Sequence, residues 1–133
     1  MECRLIYLRQ EFATLRQRHT ILVVDDDPQF RELYRMALQF ESFAVTTASD
    51  GIAALKVIEQ DPPSLVILDV NMPCLDGWGV LRELATNPRT RAIPVIVVTA
   101  GDVLMATAQA AATLRKPVMP DDMLPLIYRQ LRA

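Results

Sequence analysis

From residue 20 onward, short apolar runs alternate with longer amphipathic stretches, and this alternation limits the folds open to the chain more than any other feature. Several of the runs are apolar at consecutive positions, as expected for parallel strands buried on both faces. Strands that alternate with helices in this way build a parallel sheet covered by helices on both sides. The pattern therefore predicts an α/β domain. The five predicted strands are residues 21–24, 44–48, 65–68, 95–98 and a weaker run near Thr113 and Leu114.

Five amphipathic stretches between and after these runs are predicted to be helices. In the first, Asp27 is the expected N-cap and Pro28 takes the first helical position, where a missing N–H is tolerated. Apolar residues then recur at helical spacing as far as Leu38, which predicts one buried face. The remaining predicted helices are residues 51–58, 78–84, 102–112 and 121–131.

Residues 1–20 differ in charge from the rest of the chain, with a net charge of +2 against −4 for residues 21–133. Apolar residues in this part follow helical spacing and predict an amphipathic helix that packs on the domain or on a partner chain. A frayed N-terminus is the alternative. The apolar positions are Leu5, Leu8, Phe12 and Leu15.

Composition excludes several classes of function. A chain of 133 residues, 51% apolar, is expected to form one soluble domain that needs no disulfide or metal to hold its core. The two cysteines form no metal-binding pattern with His19, so we expect a reducing, cytoplasmic setting. No apolar run is long enough to span a membrane. A net charge of −2 argues against binding nucleic acid by bulk electrostatics.

Polar side chains follow four of the predicted strands at the point where each strand ends. Asp25 and Asp26 follow the first strand, and Asp69 follows the third. Thr99 follows the fourth strand and Lys116 follows the fifth. Because the carboxyl ends of parallel strands meet at one edge of a sheet, where ligands bind, we expect these side chains to converge.

Three close carboxylates repel one another and call for a cation, and oxygen donors without His or Cys favour Mg²⁺. A lysine and a threonine hydroxyl beside them would bind anionic oxygens. Lys116 is one of two lysines against twelve arginines, which suggests that a compact ammonium is required there. The combination fits phosphoryl transfer to an aspartate, forming an aspartyl phosphate.

Four motifs, in this order and spacing, resemble the receiver domain of the response regulators of bacterial two-component signalling. The resemblance covers about residues 20–132. It implies a flavodoxin-like, three-layered fold with a five-stranded parallel sheet in the order 2-1-3-4-5. The chain then divides into an N-terminal extension, residues 1–19, and a receiver domain, residues 20–133. The motifs are Val24-Asp25-Asp26-Asp27-Pro28, Leu68-Asp69-Val70-Asn71-Met72-Pro73 with Asp76-Gly77, Val98-Thr99-Ala100, and Lys116-Pro117.

The resemblance also implies a role for each site residue. Asp69 would be the phosphoacceptor, and Asp25 and Asp26 would hold Mg²⁺ together with it. The backbone carbonyl of Asn71 would be a further ligand of the ion. The phosphoryl donor would be a histidine kinase or a phosphotransfer protein. Two further residues would bind the phosphoryl oxygens: Thr99 and Lys116.

Three features depart from the family pattern. Thr99 and Lys116 are 17 positions apart, several fewer than usual, so the segment between them must be shortened. Thr113 stands where receivers usually carry the Tyr or Phe that changes position on phosphorylation, and Gln109 replaces a usual glycine. We therefore expect intact phosphoryl capture and an altered response in the last third of the domain.

The expected function is that of a stand-alone receiver that signals by protein contact to an unidentified target and is not an enzyme in its own right. The sequence leaves a homodimer open. One alternative is a pseudo-receiver, an interaction module without phosphorylation. Another is an aspartate-dependent phosphohydrolase, which is disfavoured because Asn71 stands where such enzymes have a second Asp and because no substrate cap is present.

Overall fold

The computed structural model describes residues 19–72, 75–101 and 110–132. Within these residues, five parallel strands form one sheet in the order β2-β1-β3-β4-β5, which confirms the expected flavodoxin-like topology. All five strands lie where the apolar runs predict them, with ends that differ by one residue at most. The strands are β1 (Thr20–Val24), β2 (Ala44–Ala48), β3 (Leu65–Asp69), β4 (Val95–Thr99) and β5 (Ala112–Arg115).

The helices of the described residues begin and end within two residues of their predicted limits. An aspartate caps each of the first three helices, and its side chain accepts a hydrogen bond from a backbone N–H in the first turn. Asp27, predicted as the first of these caps, accepts from the Gln29 amide at 2.9 Å. The helices are α1 (Pro28–Phe40), α2 (Gly51–Gln60), α3 (Gly77–Thr86) and α4 (Pro120–Arg132).

The sheet has a hydrophobic core on each face, which gives the three layers that the sequence predicts. Successive residues of a strand point to opposite faces, so β1 sends Leu22 to one core and Val23 to the other. Helices α2 and α3 cover the first core, and α1 and α4 cover the second. The central strands are therefore held from both sides.

Strand register determines which residues meet at the carboxyl edge of the sheet. Val24 pairs with Leu68, and Asp69 pairs with Val98. Thr99 pairs with Arg115, the last residue of β5. The residues directly after β1 and β5, Asp25 and Lys116, therefore lie beside the last residues of β3 and β4, Asp69 and Thr99.

The predicted helix over residues 102–112 is wrong at its C-terminal end. Residues 102–109 lie outside the described residues, but Ala110 and Ala111 are not helical and Ala112 begins β5. The Ala111 amide donates to the Val95 carbonyl at 2.9 Å, and Ala112 pairs with Ile96. Pairing with β4 thus overrides the helix propensity of the alanines.

The amphipathic helix expected in the N-terminal extension falls on residues 1–18, which also lie outside the described residues. So does Cys74, in the segment after Asp69. In the part of the chain that the structure describes, no helix is long and apolar enough to cross a membrane.

Candidate functional site

Three carboxylates, a hydroxyl and an ammonium meet at the carboxyl edge of the sheet. Carboxylate oxygens of Asp25, Asp26 and Asp69 lie within 4.8 Å of one another. Asp25, Asp69 and Thr99 are buried, whereas Asp26 is exposed at the rim. Lys116 places its Nζ 3.2 Å from Oδ1 of Asp69. The structure therefore brings together the side chains that the strand ends predict.

The two carboxylate oxygens of Asp69 have different surroundings. Oδ1 accepts a hydrogen bond from the Asn71 amide at 3.1 Å and forms the ion pair with Lys116. Oδ2 is buried and has no hydrogen-bond partner, the one such side-chain atom among the described residues. A buried polar atom without a partner is unfavourable unless a ligand satisfies it. Oδ1 is thus held by two partners, whereas Oδ2 has lone pairs that a cation or a phosphorus atom could use.

Asp25 is held by one hydrogen bond to its side chain and another to its backbone carbonyl. Its Oδ1 accepts from the Asp27 amide at 2.9 Å, which orients the carboxylate. Its backbone carbonyl accepts from Nη1 of Arg31 on α1 at 2.8 Å. The sequence gives no signal for this second contact, because an arginine six residues away is equally compatible with a solvated surface position. Arg31 thus fastens the turn that carries the two acids.

Burial makes negative charge unfavourable at this site. It raises the pKa of Asp25 to about 6, and the nearby charges of Asp69 and Asp26 add to the rise, against the opposing effects of the Asp27 amide and Lys116. Burial also raises the pKa of Asp69, while the Asn71 amide and Lys116 oppose the change. A bound cation would relieve this repulsion. An all-oxygen donor set with an unsatisfied carboxylate oxygen suits Mg²⁺.

Thr99 and Lys116 are linked through the backbone. The Thr99 carbonyl accepts from the Lys116 amide at 2.8 Å. This hydrogen bond places the backbone of Lys116 beside the end of β4. The Thr99 hydroxyl oxygen accepts from the Gly101 amide at 2.9 Å. Because a hydroxyl both accepts and donates, its proton remains able to bind an anionic oxygen. The peptide bond between Lys116 and Pro117 is cis.

A buried tyrosine braces the loop that follows Lys116. The Tyr34 hydroxyl, on α1, donates to the Val118 carbonyl at 2.9 Å. Burial first, and then the surrounding carboxylates, raise the pKa of Tyr34 to about 12, so the hydroxyl stays a donor at neutral pH. The sequence places Tyr34 on the apolar face of its helix. A buried phenol needs a partner, but residue pattern alone does not say which.

Gly77 allows α3 to begin directly against the segment that follows Asp69. A Cβ at this position would lie 2.5 Å from the Asp69 carbonyl oxygen and 2.5 Å from Cα of Val70. The Gly77 amide donates to the Val70 carbonyl at 3.2 Å. The Asp76-Gly77 pair of the sequence motif thus combines a helix cap with a close backbone approach.

Two further residues singled out in the sequence, Asn71 and Thr113, lie in different settings. Asn71 is exposed, and its amide orients Asp69, while the use of its carbonyl as a metal ligand stays a prediction. Thr113 is half-buried in β5, where it pairs with Val97. A threonine offers no aromatic surface for a change between buried and exposed positions.

Comparison with known proteins agrees with this geometry. The family model of the response regulator receiver domain matches residues 21–128, so the chain belongs to the receiver domains of two-component response regulators. Response regulator PleD of Caulobacter vibrioides is 40% identical over 118 residues, covering 85% of this chain and 25% of that protein. Response regulator MprA of Mycobacterium leprae is 38% identical over 117 residues, covering 84% of this chain and 50% of that protein.

Solved structures give the same result. Chemotaxis response regulator CheY4 of Vibrio cholerae superposes with a TM-score of 0.78 at 26% identity, covering 85% of this chain and 98% of that one. The signal receiver domain of a histidine kinase from Syntrophus aciditrophicus superposes with a TM-score of 0.80 at 28% identity, covering 86% and 90%. The chain spans 25% of the length of PleD and 50% of the length of MprA. The activities of those whole proteins are therefore not assigned to this chain. Receiver domains generally act in signalling rather than as catalysts.

Proposed function

We propose that this receiver accepts a phosphoryl group on Asp69 from a histidine kinase or a phosphotransfer protein. The buried Oδ2 of Asp69, without a hydrogen-bond partner beside a paired Oδ1, is the observation that carries the proposal. The reaction takes place in the cytoplasm, and the phosphorylated domain passes its signal on by contact with another protein.

In this reaction a carboxylate oxygen of Asp69 attacks the phosphorus of a phosphohistidine. The new O–P bond forms as the P–N bond breaks, and the bonding pair leaves with the imidazole nitrogen, which then takes up a proton. The ionised carboxylate needs no general base to act as nucleophile. Lys116 neutralises charge on the phosphoryl oxygens, and the Thr99 hydroxyl donates a hydrogen bond to one of them.

Magnesium is the cofactor that the donor set supports. Asp25, Asp26 and Asp69 would hold the ion through carboxylate oxygens, and the Asn71 carbonyl would be a further ligand. The bound ion supplies charge neutralisation for the phosphoryl oxygens. Burial, with a smaller contribution from neighbouring carboxylates, raises the pKa of Asp25 and of Asp69, so a bound cation would favour their ionised forms.

Acetyl phosphate tests the proposal without knowledge of the kinase. With Mg²⁺, intact mass should increase by one phosphoryl group in the wild type and not in Asp69→Asn. Asp61→Asn is the matched control, because Asp61 is an exposed acid that follows α2, away from the site. Chelation of divalent cations should prevent the gain in wild type and control alike. A gain that survives Asp69→Asn would overturn the site assignment.

A pseudo-receiver that binds partners without phosphorylation is the second candidate, and Thr113 is the feature that favours it. This function predicts no gain in mass under conditions that label a control receiver. It also predicts that Asp69→Asn leaves partner binding unchanged. The acetyl phosphate experiment therefore separates the two candidates.

A further inference from the structure

An apolar strip runs along the outer side of α1. Leu33 is 39% exposed, Met36 59% and Phe40 88%. Spacings of three and four residues place these side chains on one side of the helix, away from the buried Tyr34 and Leu38. We call these three residues the α1 stripe. A strip of exposed apolar side chains on one helix is a candidate contact surface.

The N-terminal extension carries a matching apolar pattern. Its apolar residues recur at spacings of three, four and three, which predicts one apolar side on a helix. Helix α1 has a net charge of +1 from Arg31, Arg35 and Glu32, and the extension is also positive, so apolar contacts rather than charge would hold the extension there. We call the four apolar residues of the extension the N-terminal stripe: Leu5, Leu8, Phe12 and Leu15.

The chain enters the domain beside the end of α1. The His19 carbonyl accepts from the Ala44 amide at 3.3 Å. Ala44 begins β2 after a short turn from α1, in which the Phe43 amide donates to the Leu38 carbonyl at 3.1 Å. The extension is therefore attached close to Phe40, the most exposed member of the α1 stripe.

The length of the extension fits this surface. At 1.5 Å per residue, the α1 stripe is about 10 Å long and a helix over residues 5–15 is about 15 Å long. Residues 16–18 span up to about 10 Å when extended, which is enough for the chain to turn back along α1. No long linker is needed, and the tether keeps the effective concentration high.

We propose that residues 5–15 pack their N-terminal stripe against the α1 stripe of the same molecule. Apolar burial on both sides drives the contact, and the short tether favours it over the same contact between two copies.

Hydrogen exchange on the full chain, read by mass spectrometry, tests the proposal. Peptides covering residues 5–15 should exchange at least tenfold more slowly than the same sequence as a free peptide. Phe40→Ser and Phe12→Ser should each remove most of this protection. Ile52→Ser is the matched control, because Ile52 is an exposed apolar residue of another helix, α2, and is 49% exposed. That variant should keep the protection.

The remaining outcomes also decide the matter. Protection that is independent of protein concentration, in a sample that sediments as a monomer, supports the intramolecular contact. Protection that grows with concentration assigns the surface to a second copy and overturns the proposal. Free-peptide exchange in the wild type, or protection that survives Phe40→Ser, overturns it as well. Because Phe40 is almost fully exposed, its replacement should leave the fold intact, which circular dichroism verifies.

Discussion

The central strands and the edge strand β5 contribute to the same site from different structural settings. Every residue of β3 and β4 is buried, whereas none of the four residues of β5 is. β3 ends at Asp69 and β4 ends at Thr99, while Lys116 directly follows β5. The hydrophobic cores therefore fix the backbone positions of Asp69 and Thr99, whereas Lys116 needs supports outside the core.

Two contacts supply that support. The Lys116 amide donates to the Thr99 carbonyl, which transfers the position of β4 to the lysine. The Tyr34 hydroxyl holds the Val118 carbonyl, two residues further on, against α1. We therefore expect substitutions in the central strands to lower the free energy of unfolding strongly. Substitutions in the supports of Lys116 should weaken phosphoryl binding.

The largest effect is expected from a core residue beside the nucleophile. Leu68→Ala removes a fully buried side chain and should lower the free energy of unfolding by about 2–5 kcal/mol. Leu114→Ala, on half-buried β5, should lower it by about 1 kcal/mol. Urea denaturation measures both values. Equal losses in the two variants would contradict the contrast between central and edge strands.

Tyr34→Phe tests the support of the lysine loop. The variant leaves the Val118 carbonyl without its buried donor and should lower the free energy of unfolding by about 1–3 kcal/mol. It should also weaken the binding of beryllofluoride, a phosphoryl analogue, because Lys116 is held less firmly.

Tyr128→Phe is the control for this effect, since the Tyr128 hydroxyl donates to Glu41 at 2.9 Å and so joins α4 to the C-cap residue of α1 rather than to the Val118 carbonyl. It should lower stability and leave beryllofluoride affinity unchanged. Equal affinities in the two variants would show that Tyr34 has only a structural role.

Lys116→Arg should slow phosphorylation by acetyl phosphate roughly tenfold, which corresponds to about 1.4 kcal/mol. Nζ lies 3.2 Å from Oδ1 of Asp69, and a planar guanidinium cannot occupy the same place as a compact ammonium. Stability should change little. Time courses of intact mass give the rate, and a wild-type rate in the variant would mean that positive charge alone suffices.

The sequence predicts the acid cluster well because it depends on one general property of parallel sheets. Asp25, Asp69 and Thr99 follow buried runs, and the carboxyl ends of such strands converge. The order of the strands is another matter, since it rests on the resemblance to a family and not on the pattern of residues. The strand order in the structure, β2-β1-β3-β4-β5, confirms the order that the resemblance implies.

Individual hydrogen bonds and strand pairings between distant segments are what the sequence does not predict. Tyr34 and Val118 are 84 positions apart, and nothing in either segment names the other. The end of the predicted helix at Ala112 fails for the same reason, because pairing with Ile96 is a tertiary contact that local propensity does not contain.

A smaller effect is expected from pH in the absence of divalent cations. Burial raises the pKa of Asp25 from 3.8 to about 6, so between these values the folded state binds more protons than the unfolded state. The free energy of unfolding should therefore increase as pH falls from 7 to about 5. Denaturation series with chelator should show this slope in the wild type and a flatter one in Asp25→Asn. A wild-type slope in that variant would assign the effect to another group.

The smallest effect is expected in β5 and α4 when beryllofluoride binds. Because Thr113 has no aromatic ring to bury, amide chemical shifts of residues 110–132 should change little away from Lys116. Shifts around Asp69 and Thr99 should change strongly. Large changes across residues 110–132, like those of a receiver with an aromatic residue at this position, would contradict the expected alteration of the response.

Borohydride trapping tests the central claim most directly. After reaction with acetyl phosphate and Mg²⁺, borohydride reduces an aspartyl phosphate to homoserine, and peptide mass spectrometry locates the change. We predict homoserine at position 69, where the buried carboxylate has one paired and one open oxygen. Homoserine at Asp25 or Asp26 instead, or none at all while a control receiver is labelled, would contradict the account.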